Sequence, residues 1–406
     1  MKKTIRKKME QKEKLLLSVI RENQPISRTK LNRITNIRLG TITELVRNLK
    51  EDGFIVEKGT EKSLRGRKQS LLRINGERYF ALGLEFDAEK IIALLIDLNS
   101  QIRKESEAEI GEDKGRESII KKIASVVFSL CEGIPSEKLL GLGIADPGVV
   151  DSKEGISLFS SLIPNWENVP LGTVLNQELK IPVRLIAAPK AKAIAEFRLG
   201  AGKGIDDLLF IEFGPGIACG IINKGKLFHG HNGMAGELGH THVSDNGTIC
   251  GCGSYGCLEA IAAMPAIIRK IKESIKAGSE SLIKNSEDEE ITPLQIFQAA
   301  DKGDKLCLNI LSKTVHYLGL GIANAINLFN PEMVIFDKRM ALSGGFFLEE
   351  IGQVIRRQTL RFATASLKFA VSPLGEEAGP LGAATLILDE FFQTGLVRHF
   401  SEEENG

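Results

Sequence analysis

The sequence predicts an α/β protein in which a small basic head of helices precedes a larger acidic body. Strand-like and helix-like runs alternate from Tyr79 onward, as is typical of α/β folds with mixed sheets. Residues 1–76 hold 20 Lys and Arg against 8 Asp and Glu; because the whole chain has a net charge of +1, residues 77–406 carry 11 more acidic than basic residues. This layout indicates a nucleic-acid-binding module joined to a second functional part, although a solvated basic face would give the same charge.

The length and composition are those of a globular chain with two or three domains, because 406 residues exceed the usual length of one domain. A hydrophobic fraction of 43% is ample for buried cores. No run reaches the ~18–20 apolar residues that a membrane span needs. The basic N-terminus is not followed by the apolar core of a signal peptide. We therefore expect a cytoplasmic protein without membrane insertion.

The spacing of apolar residues predicts three helices in the head, over about residues 9–22, 28–35 and 39–52. Ser27 is expected to cap the second helix, and Ile34 is assigned to its inward face. The short turn before the third helix predicts a helix-turn-helix whose third helix enters the DNA major groove by its N-terminal end. The exposed positions expected to contact DNA are Arg38, Thr41, Thr43, Glu44 and Arg47.

A basic hairpin follows the third helix. Residues 54–57 and 71–74 are strand-like, and the loop between them is rich in Lys, Arg and Gly. These features predict the wing of a winged helix-turn-helix, in which Arg65, Arg67 and Lys68 contact DNA and an Arg can enter a narrow minor groove. The alternative is a flexible basic linker that touches phosphates without specificity.

The body is predicted as two lobes, over residues 77–190 and 191–406, with a last helix that could return to the first lobe. The predicted strands are 80–86, 91–96, 139–144 and 208–213. The predicted helices are 116–132, 171–179, 259–277 and 304–329.

Three of the six cysteines lie within eight residues of one another, and a histidine stands ten residues upstream of the first. Three thiolates and one imidazole are a preferred tetrahedral set for structural zinc. The glycines between the cysteines let the backbone fold tightly enough for the sulfurs to converge. The expected Zn²⁺ ligands are His240, Cys250, Cys252 and Cys257. His242 is close, and His229 and His231 are not far, so the identity of the ligating histidine stays open.

The segment that begins Gly-Glu-x-Gly-His at residue 236 and continues Cys-x-Cys-Gly-x-x-Gly-Cys-x-Glu to residue 259 resembles the signature of the ROK family of repressors, open reading frames and kinases. Further matches follow the same order along the chain, at residues 141–151, 164–171, 200–204 and 330–335. The resemblance spans about residues 78–390. It implies a two-lobed ribonuclease-H-like body, the actin-like ATPase arrangement of sugar kinases, behind the winged helix-turn-helix predicted from the head, whose wing sequence resembles an element of ROK repressors.

The resemblance also implies kinase parts, and this chain departs from each of them. The first phosphate turn, Asp-x-Gly-Gly-Thr in kinases, corresponds to residues 85–89, which lack both glycines and hold three carboxylates. The catalytic aspartate corresponds to Ala188, which cannot accept a proton. The adenosine glycines correspond to Asp337 and Lys338, while the second phosphate loop survives in part at residues 214–216. We expect neither ATP binding nor kinase activity.

The sugar side of the family pattern is better retained. The resemblance assigns ligand contacts to Asn165, Glu237, His240 and Glu259. Two further contacts of the family correspond to Ala187 and Ala188. Lys190 and Lys192 are interpreted as solvated helix lysines, and the alternative is that they bind the phosphate of a sugar phosphate.

The resulting hypothesis is a DNA-binding transcriptional regulator, with repression as the expected mode, that controls carbohydrate-metabolism genes. Its inactive kinase-like body would sense a sugar or sugar phosphate, and its partners would be double-stranded operator DNA and a second copy, as a homodimer or dimer of dimers. One alternative is a sugar kinase with displaced catalytic residues. Another is a regulator that is controlled by a protein partner and has an empty cleft.

Overall fold

The computed structural model of the chain describes residues 9–62, 68–245, 247–283 and 291–395. These residues fall into two compact units, each described by itself below. Unit 1 comprises Met1–Ala188 and Gly379–Gly406, and unit 2 comprises Pro189–Ala378. Arg65 and Arg67 lie outside the described residues. The predicted division at residues 76 and 190 remains a prediction.

The first part of unit 1 holds three helices and a small antiparallel sheet. Its elements are α1 Gln11–Asn23, β1 Ile26–Ser27, α2 Arg28–Thr35, α3 Leu39–Glu51, β2 Ile55–Lys62 and β3 Lys68–Ile74. The strand order is β1-β3-β2. The apolar stripe of α3 is buried as expected, because Ile42, Leu45, Val46 and Leu49 all face the interior.

Two local expectations for α2 are wrong. Ser27 stands at the N-cap position but makes no side-chain cap hydrogen bond; it is buried and pairs with Leu71 in the β1–β3 ladder, which the sequence analysis missed. Ile34 is 44% exposed rather than inward. A helix of eight residues has only about two turns, so two apolar residues in it do not define a buried face.

The rest of unit 1 is built on a five-stranded sheet of order β11-β7-β4-β5-β6. Its strands and helices are β4 Phe80–Phe86, β5 Lys90–Asp97, β6 Ile102–Glu109, α4 Arg116–Cys131, β7 Leu139–Asp146, β8 Val149–Asp151, β9 Ile156–Phe159, β10 Glu167–Val169, α5 Leu171–Leu179 and β11 Val183–Ala187. Strands β4, β7 and β11 are parallel, so their carboxyl ends meet at one edge. Ligands of open α/β sheets bind outside such an edge.

Unit 2 has a second five-stranded sheet, of order β14-β13-β12-β15-β16. Its elements are α6 Ala188–Leu199, β12 Leu208–Phe213, β13 Ile217–Asn223, β14 Lys226–Leu227, α7 Leu258–Ala262, α8 Met264–Lys276, α9 Pro293–Asp301, α10 Lys305–Phe329, β15 Met333–Phe336, α11 Gly344–Gln358, α12 Arg361–Thr364 and β16 Lys368–Val371. Helix α10 is long and apolar enough to cross a membrane by composition, but it carries much of the buried core of this unit.

The single helix predicted over 259–277 is two helices, α7 and α8. Ala263 is extended between them, and Pro265 stands in the first turn of α8. Proline is tolerated there because its missing N–H would be unpaired anyway, whereas inside a helix it removes a hydrogen bond and clashes with the preceding turn. The N–H of Met264 donates to the Gly214 carbonyl at 2.9 Å, which joins this break to the end of β12.

The last helix, α13 Ala378–Thr394, groups with unit 1. Its first half lies directly on the sheet, where a methyl group at Gly83 or Gly143 would clash with the backbone carbonyls of Pro380 and Ala383. Glycine at these positions of β4 and β7 therefore permits close approach of the helix backbone to the strands.

Candidate metal centre, ligand cluster and nucleic-acid interface

A cluster of four side chains in unit 2 has the composition of a metal site. The ligand atoms of His240, Cys250, Cys252 and Cys257 all lie within 4.8 Å of one another. The Cys252 and Cys257 sulfurs are 3.8 Å apart, and the Cys250 sulfur is 3.7 Å from Nδ1 of His240. These separations fit the edges of a tetrahedron whose centre is ~2.3 Å from each sulfur. The residues therefore could hold one tetrahedral metal ion.

Backbone turns bring the cysteines together. The N–H of Cys250 donates to the Ser254 carbonyl at 2.7 Å, and the N–H of Gly253 returns to the Cys250 carbonyl at 2.9 Å. Gly253 has a positive φ of 87°, which only glycine adopts at little cost. Burial raises the pKa of the Cys257 thiol, so its thiolate needs a positive charge nearby, as a metal ion supplies.

The structure also separates the candidate histidines. The Nε2 atom of His242 is 2.9 Å from Asp245, and its Nδ1 atom is 3.1 Å from the Tyr255 carbonyl, so both ring nitrogens have other partners. His229 and His231 are outside the group of converging ligand atoms within the described part of the chain. His240 is thus the histidine that the geometry favours.

A second group of polar side chains in unit 2, called the Glu237 cluster below, consists of Glu237, Glu259, His240 and Lys190. Burial raises the pKa of Glu237, which the charges of His240 and Lys190 lower in part. Glu259 accepts a hydrogen bond from the Ile217 N–H at 3.2 Å, which fixes its carboxylate at the start of β13. Carboxylates held this way can accept hydrogen bonds from hydroxyl groups of a ligand.

The interpretation of Lys190 and Lys192 as solvated lysines is wrong. Lys190 is 4% exposed and Lys192 is 6% exposed. Every residue of α6 from Lys190 to Glu196 is buried, so this helix has no solvated face on which a lysine could lie. Lys192 forms an ion pair with Glu212, and Lys190 donates to the carbonyl of Gly233.

The loop at residues 214–216 lies beside a network of ions, called the Arg339 network below. Arg339 bonds both carboxylate oxygens of Asp337, at 3.0 and 2.9 Å, and reaches Glu212 at 3.1 Å. Lys192 completes the network through Glu212. Burial alone would raise the pKa of Asp337, but the hydrogen bonds and charge of Arg339 outweigh it and lower that pKa.

Arg339 is a residue that the sequence analysis missed. A methyl group at Gly214 would come within 2.7 Å of its guanidinium, so the arginine lies against the partly retained phosphate loop. A cavity of about 380 Å³ remains beside Pro215, with an apolar lining apart from Arg339. The sequence shows only an Asp-Lys-Arg run directly after the buried strand β15, which does not by itself reveal that Arg339 meets Gly214 and Glu212.

In unit 1, Asn165 lies in a loop that is anchored by a buried hydrogen-bond chain. The adjacent Trp166 donates through its indole N–H to Ser157 at 2.8 Å, and Ser157 bonds Asp146. Asp146 also accepts from the Gly148 N–H at 2.8 Å, but its Oδ2 atom has no hydrogen-bond partner among the described residues. Burial raises the pKa of Asp146 to about 6.

The turn at residues 85–89 is held by hydrogen bonds and an ion pair of its own side chains. Asp87 accepts hydrogen bonds from the N–H groups of Glu89 and Lys90, at 2.7 and 2.8 Å. Glu89 pairs with Lys114. Asp87 and Glu89 are therefore engaged within unit 1.

The predicted DNA contacts on α3 form one face. Arg38, Thr43, Glu44 and Arg47 are exposed, and Thr41 is partly buried. Lys68 is exposed at the start of β3. The opposite face of α3 supplies the core of the head, so the exposed positions are free to meet a partner.

Comparison with known proteins accounts for this combination of features. The ROK family profile matches residues 81–390, which include the metal cluster, the Glu237 cluster and the Arg339 network. The chain belongs to the ROK family.

Two curated ROK relatives differ in how much of this chain they match. A xylose repressor from Caldicellulosiruptor bescii is 34% identical over 383 residues, covering 93% of this chain and 95% of the relative. A glucokinase from Thermotoga maritima is 32% identical over 308 residues, covering 75% of this chain and 96% of the relative. About a quarter of this chain thus has no counterpart in the glucokinase alignment.

A solved structure is similar over nearly the whole chain. It is a ROK family transcriptional regulator described as a homologue of the E. coli MLC protein, with a TM-score of 0.80 and 26% identity. The similarity covers 94% of this chain and 96% of that one. The expected α/β fold with a sugar-kinase-like body is thereby confirmed.

Proposed function

We propose that this ROK protein is a cytoplasmic transcriptional repressor that binds operator DNA and controls genes of carbohydrate metabolism. The observation that carries the proposal is the match to a xylose repressor over 93% of the chain, head included. The excess of 12 positive charges in residues 1–76 supports it, because phosphate attraction supplies most nonspecific DNA affinity.

The head acts as a winged helix-turn-helix. Helix α3 would lie in the major groove with Arg38, Thr43 and Arg47 at its DNA side, and Thr41 and Glu44 would flank them. The basic loop before Lys68, with Arg65 and Arg67, would touch the neighbouring minor groove. A homodimer, or a dimer of dimers, would place two heads on half-sites about one helical turn apart or a multiple of it.

The body is a sensor rather than a kinase. Its catalytic position is Ala188, and the loop that would hold phosphates is covered by Arg339, whose charge is already paired with Asp337 and Glu212. An ATP polyphosphate would find no uncommitted positive charge in the Arg339 network and would face its two carboxylates. Because the chain is also similar to glucokinases, sugar kinase activity is the rival function.

The metal is Zn²⁺ with a structural role. His240, Cys250, Cys252 and Cys257 would hold it, and four protein ligands leave no open position for catalysis. When bound, zinc would fix the 236–259 segment and one ring nitrogen of His240, which leaves the other nitrogen available to a ligand.

Helix α13 supplies a physical route from the body to the head. The chain passes from unit 2 back to unit 1 at Ala378–Gly379, where α13 begins. At its other end, Asp389 pairs with Arg21 of α1 at 2.7 Å, and the Arg21 guanidinium lies 4.3 Å above the Phe392 ring. These contacts join the last helix of unit 1 to the first helix of the DNA-binding head.

The proposal is tested by fluorescence anisotropy with duplex fragments from promoters near the gene of this chain. We expect sequence-specific binding at nanomolar concentration that weakens with salt. Arg47→Ala should lower the affinity about tenfold, because one base or phosphate contact contributes about 1–3 kcal/mol. The control Lys203→Ala, an exposed lysine of unit 2, should leave it unchanged.

The rival function is tested by coupled ADP release with D-glucose, D-xylose and N-acetyl-D-glucosamine. We expect no turnover. Turnover that is abolished by Glu237→Ala, together with absence of DNA binding, would replace the proposed function with that of a kinase.

A further inference from the structure

The two buried lysines of α6 differ in how their ammonium groups are satisfied. Lys192 is committed to Glu212 within the Arg339 network. Lys190 donates to the Gly233 carbonyl, and the described residues offer its Nζ no second acceptor. An ammonium has three N–H donors, and a buried donor without a partner is costly.

Glu237 is a carboxylate whose charge acts on Lys190, but no hydrogen bond or ion pair joins the two among the described residues. Each group feels the charge of the other, and Lys190 also acts on His229. In the described ranges, however, the Glu237 carboxylate takes part in no ion pair or hydrogen bond. A half-buried carboxylate and a buried ammonium thus lie near one another, and both have hydrogen-bonding capacity to spare.

A hydroxyl group has the chemistry that fits between them. It donates one hydrogen bond, which a carboxylate accepts, and it accepts hydrogen bonds, which an ammonium donates. A phosphate only accepts hydrogen bonds at neutral pH, and it would stand beside the carboxylates of Glu237 and Glu259. Lys192 could not help to hold it, since that lysine is paired with Glu212.

We infer that Lys190 and Glu237 bind the same hydroxyl group of a neutral, unphosphorylated sugar, which makes Lys190 a specificity residue of the sensor. The inference rests on the proposed function, because it names the ligand class of the same body.

The test is isothermal titration of the full chain with D-xylose, D-glucose, N-acetyl-D-glucosamine and D-glucose 6-phosphate. We expect at least one neutral sugar to bind more than tenfold tighter than the phosphate. Lys190→Met, which keeps the aliphatic stem, should lower the affinity at least tenfold. Lys272→Met, a matched change of an exposed lysine on α8, should have no effect.

Because Lys190 also bonds Gly233, its loss could act through the loop alone. Monodeoxy analogues of D-xylose and D-glucose distinguish the two roles. In the wild type, one deoxygenation should cost at least tenfold in affinity, and in Lys190→Met the same deoxygenation should cost much less. A double-mutant cycle of Lys190→Met with Glu237→Gln should be non-additive, since both groups hold one hydroxyl.

The inference falls if D-glucose 6-phosphate binds more tightly than every neutral sugar, if no sugar binds, or if Lys190→Met binds as the wild type does. If Lys190→Met does not fold, the wild-type preference and the analogue series still decide. DNA binding measured on the same preparations separates the two claims. Retained DNA binding without a neutral-sugar ligand overturns only this inference, whereas absent DNA binding overturns the proposed function.

Discussion

The Glu237 cluster and the Arg339 network lie in the same unit, yet their polar groups are satisfied in opposite ways. In the Arg339 network, Lys192, Glu212, Asp337 and Arg339 pair with one another. In the Glu237 cluster, the charge of Lys190 lowers the pKa of Glu237, and the described part of the chain shows no hydrogen bond or ion pair between the two. Charged groups that pair with one another need no ligand to satisfy them. Buried charged groups that keep unused hydrogen-bonding capacity indicate where a ligand binds.

This difference lies in how the charges of each set are satisfied. The glycines that kinases use at the adenosine position are replaced by a carboxylate, and an arginine two residues later neutralises it. The charge of Asp337 is thus neutralised by a neighbour two residues away, beside the end of strand β15. The sugar side keeps its carboxylates instead, and the metal cluster supports the segment that carries them.

The largest expected effect tests that support. Cys252→Ser should remove one ligand, reduce bound zinc from about one per chain to near zero, and lower the free energy of unfolding by more than about 4 kcal/mol, because losing a structural metal is among the most destabilising changes. Elemental analysis and denaturant unfolding measure both. Cys131→Ser, a cysteine of unit 1 outside the cluster, should retain the metal. Equal metal content in both variants would contradict the assignment.

The second prediction concerns Asp146, a buried carboxylate of unit 1 whose Oδ2 atom lacks a hydrogen-bond partner among the described residues. Because burial raises the pKa of Asp146 to about 6, its ionisation in the folded state costs stability. The cost is absent below the ordinary pKa of about 3.9, grows as the pH rises, and is complete above the folded pKa. Asp146→Asn should therefore raise the free energy of unfolding at pH 8 by about 1–2 kcal/mol, part of the gain being lost because the new amide also lacks a partner.

The measurement is urea unfolding at pH 5 and pH 8. The advantage of Asp146→Asn should be larger at pH 8 than at pH 5. Glu117→Gln, an exposed acid-to-amide change on α4, should show no such difference. A variant that is equally stable relative to the wild type at both pH values would show that Asp146 is not the titrating group.

The smallest effect concerns the closed network. Arg339→Ala should lower the free energy of unfolding by about 1 kcal/mol, since the side chain is 43% exposed and solvent screens much of the loss of its partners. The variant should also lose stability at acid pH less steeply than the wild type. Arg339 lowers the folded pKa of Asp337, and that contribution is present above about pH 3.9 and is lost as the pH falls toward the folded value.

Unfolding of Arg339→Ala and of the control Arg357→Ala, an exposed arginine of α11, should be compared at pH 3.5 and pH 7. Sugar affinity should not change in either variant. A loss of sugar binding in Arg339→Ala would show that the Arg339 network and the Glu237 cluster depend on one another.

Much of the architecture was readable from local pattern. Helix α5 and strands β4 and β12 begin and end at the predicted residues, because their apolar runs are bounded by turn residues. The break between α7 and α8 was also encoded locally, by Pro265, and was overlooked. The gathering of a histidine with three cysteines followed from residue type and spacing.

The sequence by itself determined most of the elements, the charge division between head and body, and the three cysteines of the metal cluster, because these depend on neighbours along the chain, whereas the choice of His240 over His242 needed the structure. Only the tertiary structure decided that Lys190 and Lys192 are buried, that Arg339 covers Gly214, and that α13 meets α1. These facts depend on groups far apart in sequence, such as Lys192 with Glu212 and Arg21 with Asp389. The energy of a charged side chain depends on the groups that surround it in space. The spacing of residues along a helix does not reveal whether a given face of that helix meets water or a sheet.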